Sequence, residues 1–206
     1  MIVAIIQARL GSSRLPGKVL LPMANTTAIG CMIERVKKAQ KLDKIIVATT
    51  ENSLDDTLCD ALIDMGIDFV RGSEYDVLGR FYAAAVESSA DVIVRLTADC
   101  PLMDGQLIDA ALTEFLAGEY DYFSNVIDRS FPDGLDIEIF SADTLAKTAR
   151  GCTDPWSREH VTPFMRTGSG LTVKTGNFRV GHFKSTANFA HLRWTLDTPS
   201  DYEFFC

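Results

Sequence analysis

Runs of lysine or arginine are missing from this sequence, and acidic side chains outnumber basic ones, 28 to 20, for a formal net charge of −8. That balance excludes a protein that works by coating nucleic acid or an anionic membrane, since both need a basic face. Any anionic ligand must be captured locally. Long apolar runs are missing too. The N-terminal stretch Ile2 to Ile6 is too short to span a bilayer, no charged region precedes it, and Arg9 and Arg14 break up the residues after it. Neither a signal peptide nor a membrane span is expected, which places the chain in the cytoplasm. Cysteine is sparse and irregular: Cys31, Cys59, Cys100, Cys152 and Cys206 form no zinc pattern, and their odd number fits reduced thiols. The dinucleotide fingerprint G-x-G-x-x-G is absent. So is the P-loop, because five residues separate Gly11 from Gly17 and Val19 stands after Lys18 where a Ser or Thr would hold magnesium. No linker, repeat or low-complexity stretch divides the 206 residues, so a single domain with a substantial core is expected over 1–206.

What the chain does have is concentrated at residues 7–18, QARLGSSRLPGK, directly after the short apolar run. The run reads as one buried strand and the stretch after it as a phosphate cradle. Gly11 and Gly17 supply backbone freedom, Ser12 and Ser13 supply hydroxyls and amides, and Arg9, Arg14 and Lys18 supply cations suited to a triphosphate. A loop at the C-terminal end of a parallel strand is also where open α/β sheets bind ligands. The plain alternative is a basic surface loop with a Pro-Gly turn.

The first half alternates. Strands are expected at Ile2–Ile6, Lys44–Thr50, Asp68–Arg71 and Asp91–Thr97. Between them fall helical faces: Ile29, Met32, Ile33 and Val36; then Leu54 to Met65, capped by Ser53 and stopped by Gly66; then Val77 to Val86. A further helix carries Leu107 to Leu116. The β-α-β-α-β-α-β order predicts a mainly parallel sheet covered on both faces, a Rossmann-like three-layer α/β sandwich. Beyond Gly118 short, irregular pieces replace the alternation: Tyr120–Val126, Leu135–Phe140, Leu171–Thr175, Phe178–Phe183 and Leu192–Leu196, the last read as the strand before Asp197, with a turn at Phe131–Gly134 and a helical interval near Ser141–Arg150.

Carboxylates mark the remaining candidates. Asp99, at the tip of the fourth strand, faces the same crevice as the loop and suits a hard metal ion; equally, it is a turn residue ahead of Pro101. Asp197 precedes Thr198 and Pro199, which read as N-cap and first position of a terminal helix, so its plain role is favourable charge at a helix start. Asp136 and Glu138 share a face if Leu135–Phe140 is a strand, and would bind sugar hydroxyls or simply be solvated. Arg158, Glu159 and His160 form the one local acid/base cluster of this half, with a structural histidine as the alternative.

The segment QARLGSSRLPGKVLLP closely resembles the N-terminal motif of the CMP-sugar synthetases, most of all their branch named after the spore coat polysaccharide protein SpsF. RGSEYDVLGRFY, VIVRLTADCPLMD, PDGLDIEIF, REHVTPF and LRWTLDTPSD resemble that branch in the same order, so the likeness covers nearly the whole chain. Ala98 stands where the family usually has Gly, and Thr97 where the better-known synthetases often carry Gln. The resemblance implies a nucleotide-diphospho-sugar transferase fold and a cytidylyltransferase that joins CTP to a sugar, releasing pyrophosphate. It implies a nucleotide site at Ala8, Arg9, Gly11, Ser12, Ser13, Arg14, Lys18 and Arg71, with Arg9, Lys18 and Asp99 catalytic. It also implies magnesium on Asp99 and Asp197, residues 1–118 binding the nucleotide, and residues 119–206 binding the sugar and forming a homodimer contact. A nucleotide-sugar-dependent glycosyltransferase and a non-catalytic nucleotide-binding subunit are the alternatives.

Overall fold

The computed structural model describes residues 1–166 and 178–206. Its frame starts from alternation in the first strand, β1 (Ile2–Gln7). Val3 and Ile5 point to one side of the sheet and Ala4 and Ile6 to the other, and all four are fully buried, so helices must cover both faces. In chain order come a small hairpin of β2 (Pro22–Met23) and β3 (Thr26–Thr27), α1 (Ala28–Val36), β4 (Lys44–Thr50), α2 (Asp56–Asp64), β5 (Asp68–Gly72), α3 (Val77–Glu87), β6 (Val92–Thr97) and α4 (Gly105–Ala117). The later elements are β7 (Tyr122–Ser124), β8 (Glu138–Ser141), α5 (Ala142–Gly151), α6 (Pro155–His160), α7 (Pro163–Arg166), β9 (Val180–His182) and α8 (Pro199–Phe205).

The seven-stranded sheet runs β5-β4-β1-β6-β8-β7-β9. Strands β5, β4, β1 and β6 are mutually parallel; β8 turns antiparallel to both β6 and β7. Strand β1 lies between β4 and β6, so the chain leaves it to one side through β4 and returns to its other side through β6. That reversal opens a crevice at the C-terminal tips of β1 and β6, the place where such sheets bind ligands. One core layer joins β1 and β6 to α1 and α4 through Ile29, Met32, Leu96 and Ile108; the opposite layer joins them to α3 and α5 through Leu78, Phe81, Ile93 and Leu145.

The expected alternation of the first half is present, with small corrections. Asn52, rather than Ser53, provides the side-chain cap, because a 3-10 turn (Ser53–Asp55) precedes α2. In the second half the strands are shorter: Tyr120–Val126 contracts to β7, Leu135–Phe140 begins only at Glu138 and extends to Ser141, and Phe178–Phe183 contracts to β9. Leu171–Thr175 lies outside the described residues. Leu192–Leu196 is not a strand; only Arg193 makes a bridge, to Asp133. The reason is local. Trp194 N donates to the Asp133 carbonyl at 2.6 Å, and Gly134, at φ 112°, lies so close that a Cβ there would meet the Trp194 carbonyl at 2.5 Å. The segment is pinned to a turn instead of a sheet edge. Among the described residues, no helix is long and apolar enough to cross a membrane.

Candidate active site

The 7–18 stretch leaves β1 at the crevice and folds back on itself. The Leu10 carbonyl accepts from both Ser12 N (2.8 Å) and Gly17 N (3.0 Å), and Gly17 adopts φ 70°, a left-handed conformation that favours glycine, before the 3-10 turn Lys18–Leu20. Leu10 N donates to buried Asp55 (2.7 Å), which Thr50 also holds through its hydroxyl, so β4 and the turn behind it anchor the loop. The loop forms one wall of a cavity of about 460 Å³ whose lining includes Ala8, Arg9, Gly11, Ser12, Ser13, Arg14 and Lys18. Asp99 belongs to the same lining, at the tip of β6 in a turn closed by Cys100 N to the Thr97 carbonyl (3.1 Å).

Lys18 is the centre of the charged end. Its ammonium lies 3.2 Å from Asp99 Oδ2 and 2.6 Å from Asp197 Oδ1, with the lysine side chain only 13% exposed. Two carboxylates that are 98 positions apart in sequence thereby converge on one cation. Leu196 N donates to the Asp99 carbonyl at 2.8 Å, which fastens the segment before α8 directly to the β6 tip. Arg14 (3.2 Å) and Arg193 (3.3 Å) reach the other oxygen of Asp197. Burial opposes ionisation of Asp197, but the hydrogen bond and charge of Lys18, with Arg14 and Arg193 behind them, outweigh it and hold the carboxyl below its usual range.

Asp99 and Asp197 supply hard carboxylate oxygens, the donor type magnesium takes. In this structure they converge on the Lys18 ammonium, and among the described residues they form no group of three or more His, Cys, Asp or Glu. Magnesium takes one or two carboxylates and completes its shell with water and substrate phosphate, as this donor set requires. Cys100 is buried, and burial, then the Asp99 charge, pushes its thiol pKa well up, which suits a packing role.

Other candidates separate. Arg9 lines the cavity and pairs with Glu74 at 2.9 Å, tying the loop to the segment before α3. Arg71 is not brought to the cavity lining; its guanidinium is spent on the Thr50 and Asn52 carbonyls (2.8 and 3.0 Å) and on Asp56 (2.8 Å). Glu159 and His160 do line the cavity, from the end of α6, with the His160 ring 4.9 Å from Trp156. Arg158 instead braces α3, binding Asp76 at 2.7 Å. Asp136 and Glu138 do not form a shared strand face, because Asp136 precedes β8 and is held by both arms of Arg129 (2.8 and 2.7 Å). Burial nonetheless raises its pKa. Glu138 is 3% exposed and clamped by Arg95 and Arg166, whose charges outweigh burial and lower its pKa.

Sequence reasoning missed Val19, Glu74, Val77 and Arg80 in the lining and gave Gln7, at the head of the 7–18 stretch, no role of its own. A signal existed: Asp76 caps α3, accepting from Gly79 N at 2.9 Å, which puts Val77 and Arg80 one turn apart at that helix's start. Arg80 is 3% exposed, and burial, then the charge of Arg9, lower its pKa.

A family model described as Cytidylyltransferase matches residues 3–205. The spore coat polysaccharide biosynthesis protein SpsF of Bacillus subtilis is 33% identical over 98% of this chain and 83% of its own. A solved cytidylyltransferase from Leptospira borgpetersenii is 37% identical and superposes with a TM-score of 0.90 over 98% of this chain and 83% of that one. The fold alone is shared with a CMP:2-keto-3-deoxy-manno-octonic acid synthetase solved in complex with CTP, at 18% identity and TM-score 0.73, covering 98% of this chain and 95% of that one. With this agreement along the whole chain, the protein belongs to the cytidylyltransferase family and is a nucleotidyltransferase.

Proposed function

We propose that this enzyme activates a sugar, a sugar acid or a relative of one, with CTP for surface polysaccharide biosynthesis. The observation that carries the reading is the convergence of Asp99 and Asp197 on Lys18 at the mouth of a cleft walled by the 7–18 loop. The loop amides and hydroxyls, with Arg9, Arg14 and Lys18, would cradle the triphosphate. A sugar hydroxyl oxygen then bonds to the α-phosphorus in line as the bond to pyrophosphate breaks, giving CMP-sugar, pyrophosphate and a proton. No covalent enzyme intermediate is needed; positioning and neutralisation of developing charge carry such reactions. Magnesium on Asp99 and Asp197 would supply charge neutralisation at the departing pyrophosphate. Glu159 and His160, which share the cavity lining, would meet the sugar.

The reading includes a cytoplasmic homodimer with its contact in residues 119–206. That half supplies Phe131, Leu135, Phe189 and Trp194 to an apolar recess of about 300 Å³ that Asp104 and Leu107 of the first half also line. Sedimentation equilibrium at micromolar concentration tests it, and a monomer there overturns it. The activity test is pyrophosphate release from each of the four nucleoside triphosphates, with magnesium and a panel of sugar acids that includes 3-deoxy-manno-octulosonate and an acylneuraminate. CTP-dependent pyrophosphate is expected. Turnover with another nucleotide in preference to CTP overturns the assignment.

A further inference from the structure

Gln7 ends β1 and lines the cleft. Alternation along the strand turns its side chain to the α3 side, with Val3 and Ile5. There Arg95 Nη2 donates to Gln7 Oε1 at 2.8 Å. Arg95 is itself immobilised: its side chain is 10% exposed, its Nη1 pairs with Glu138 Oε1 at 2.5 Å, and its guanidinium lies 5.8 Å over the Phe81 ring. Glu138 is held in turn by Arg166 (2.7 Å) and the Tyr122 hydroxyl (3.0 Å). A guanidinium carries donors only, so the carboxamide must present its oxygen to Arg95. The orientation of an amide, usually ambiguous, is decided here by chemistry. Its NH2 is left on the far side, with no acceptor among the described residues.

A second observation points the same way. Arg80, 3% exposed and in the same lining, spends Nη1 on the Ser73 and Glu74 carbonyls (2.6 and 3.2 Å), while its Nε meets no acceptor among the described residues. That Nε is itself buried, so Arg80 brings positive charge to the lining without an open donor at that atom. The lining that contains the Gln7 amide also contains the apolar Ala8 and Val77. A flat, acceptor-edged ring complements it.

We propose that Gln7 is a specificity-determining residue of the cleft, donating from its NH2 to the O2 and N3 acceptor edge of cytosine, and that Arg95 is the positioning residue that keeps this face outward. The inference rests on the CTP reading above. Uracil carries a hydrogen at N3, which would set donor against donor, so the same amide favours CTP over UTP.

Calorimetric titration with CTP and with UTP, in magnesium, tests it on the whole protein, with melting curves for every variant. Gln7→Met, close in length, is expected to lower the CTP-to-UTP preference about tenfold, the size of one neutral hydrogen bond. Gln7→Glu, an acceptor, should lose CTP more than UTP. Arg95→Met frees the amide to turn over and should reduce the preference, whereas Arg95→Lys, still a donor only, should restore it; a merely structural role for Arg95 would not move this ratio. A CTP-to-UTP ratio unchanged in both Gln7 variants, with wild-type melting, overturns the proposal while leaving the CTP reading standing. Failure of the wild-type protein to bind CTP overturns the CTP reading itself, so the two failures are distinguishable.

Discussion

Lys18 bridges two carboxylates that would otherwise repel. Removing it should have two measurable effects. Lys18→Ala is expected to weaken triphosphate binding by about 1.5–3 kcal/mol, the size of a charged hydrogen bond, as read by calorimetry. Lys18→Met should also raise the pKa of Asp197, because the strongest influence lowering it is gone. Linkage sets the sign. A carboxyl depressed in the folded state adds stability above its unfolded pKa, near 3.9, and loses that stability as pH falls through its folded value. The variant should therefore lose the Asp197 contribution at higher pH than wild type, seen in the Asp197 side-chain carbon shift during acid titration. Asp99→Asn keeps the shape and removes a charge; turnover should fall about 10²–10³-fold. If Asp99 and Asp197 act as one unit, the double asparagine variant loses far less than the product of the single losses. Multiplicative losses would return Asp197 to a helix-start role.

At the scale of elements, α8 holds the second carboxylate in place. Thr198 and Asp201 form a reciprocal cap: the Thr198 hydroxyl accepts from Asp201 N (3.2 Å), and the Asp201 carboxylate accepts from Thr198 N (2.8 Å) and Asp197 N (2.9 Å). Arg193 binds the same carboxylate at 3.1 Å. Tyr202 closes the arrangement from the other side, donating its hydroxyl to the Pro22 carbonyl at 2.7 Å, so the β2–β3 hairpin and α8 brace each other. Thr198→Ala should cost about 1 kcal/mol in urea unfolding. Burial of Asp201 is outweighed by Arg193 and the backbone amides, which depress its pKa to about 2. Its stabilisation is present above pH about 4 and fades as pH falls toward 2. Asp201→Asn should accordingly narrow the stability gap to wild type as the pH is lowered through that window.

For the molecule as a whole, the Glu138 cluster joins β6, β7, β8 and α7 at one buried point, through Arg95, Tyr122 and Arg166. Glu138→Leu would take the one buried carboxylate from the half-buried Arg95 and Arg166 and is expected to cost about 3–5 kcal/mol in chemical unfolding. Ligand should act in the opposite direction: CTP with magnesium at 100 times its dissociation constant adds about 2.7 kcal/mol, which in a chain of this size raises the melting temperature by about 5–11 °C. Sequence alone determined the parallel half and the loop, because buried β-branched strands, amphipathic spacing and the Gly–Pro–Gly–Lys punctuation are local properties that residues carry with them. It also marked Asp99 and Asp197 individually, through their places at a strand tip and a helix start. Only tertiary structure decided that Leu192–Leu196 is a pinned turn, that Arg71 is spent on β4 and the turn after it, and that Glu138 is a core ion rather than a strand-face ligand. The same holds for the convergence of the two aspartates on Lys18 and for the fixed amide of Gln7. These depend on contacts between residues tens of positions apart, and such contacts are set by how the strands are ordered in the sheet, which no local pattern encodes.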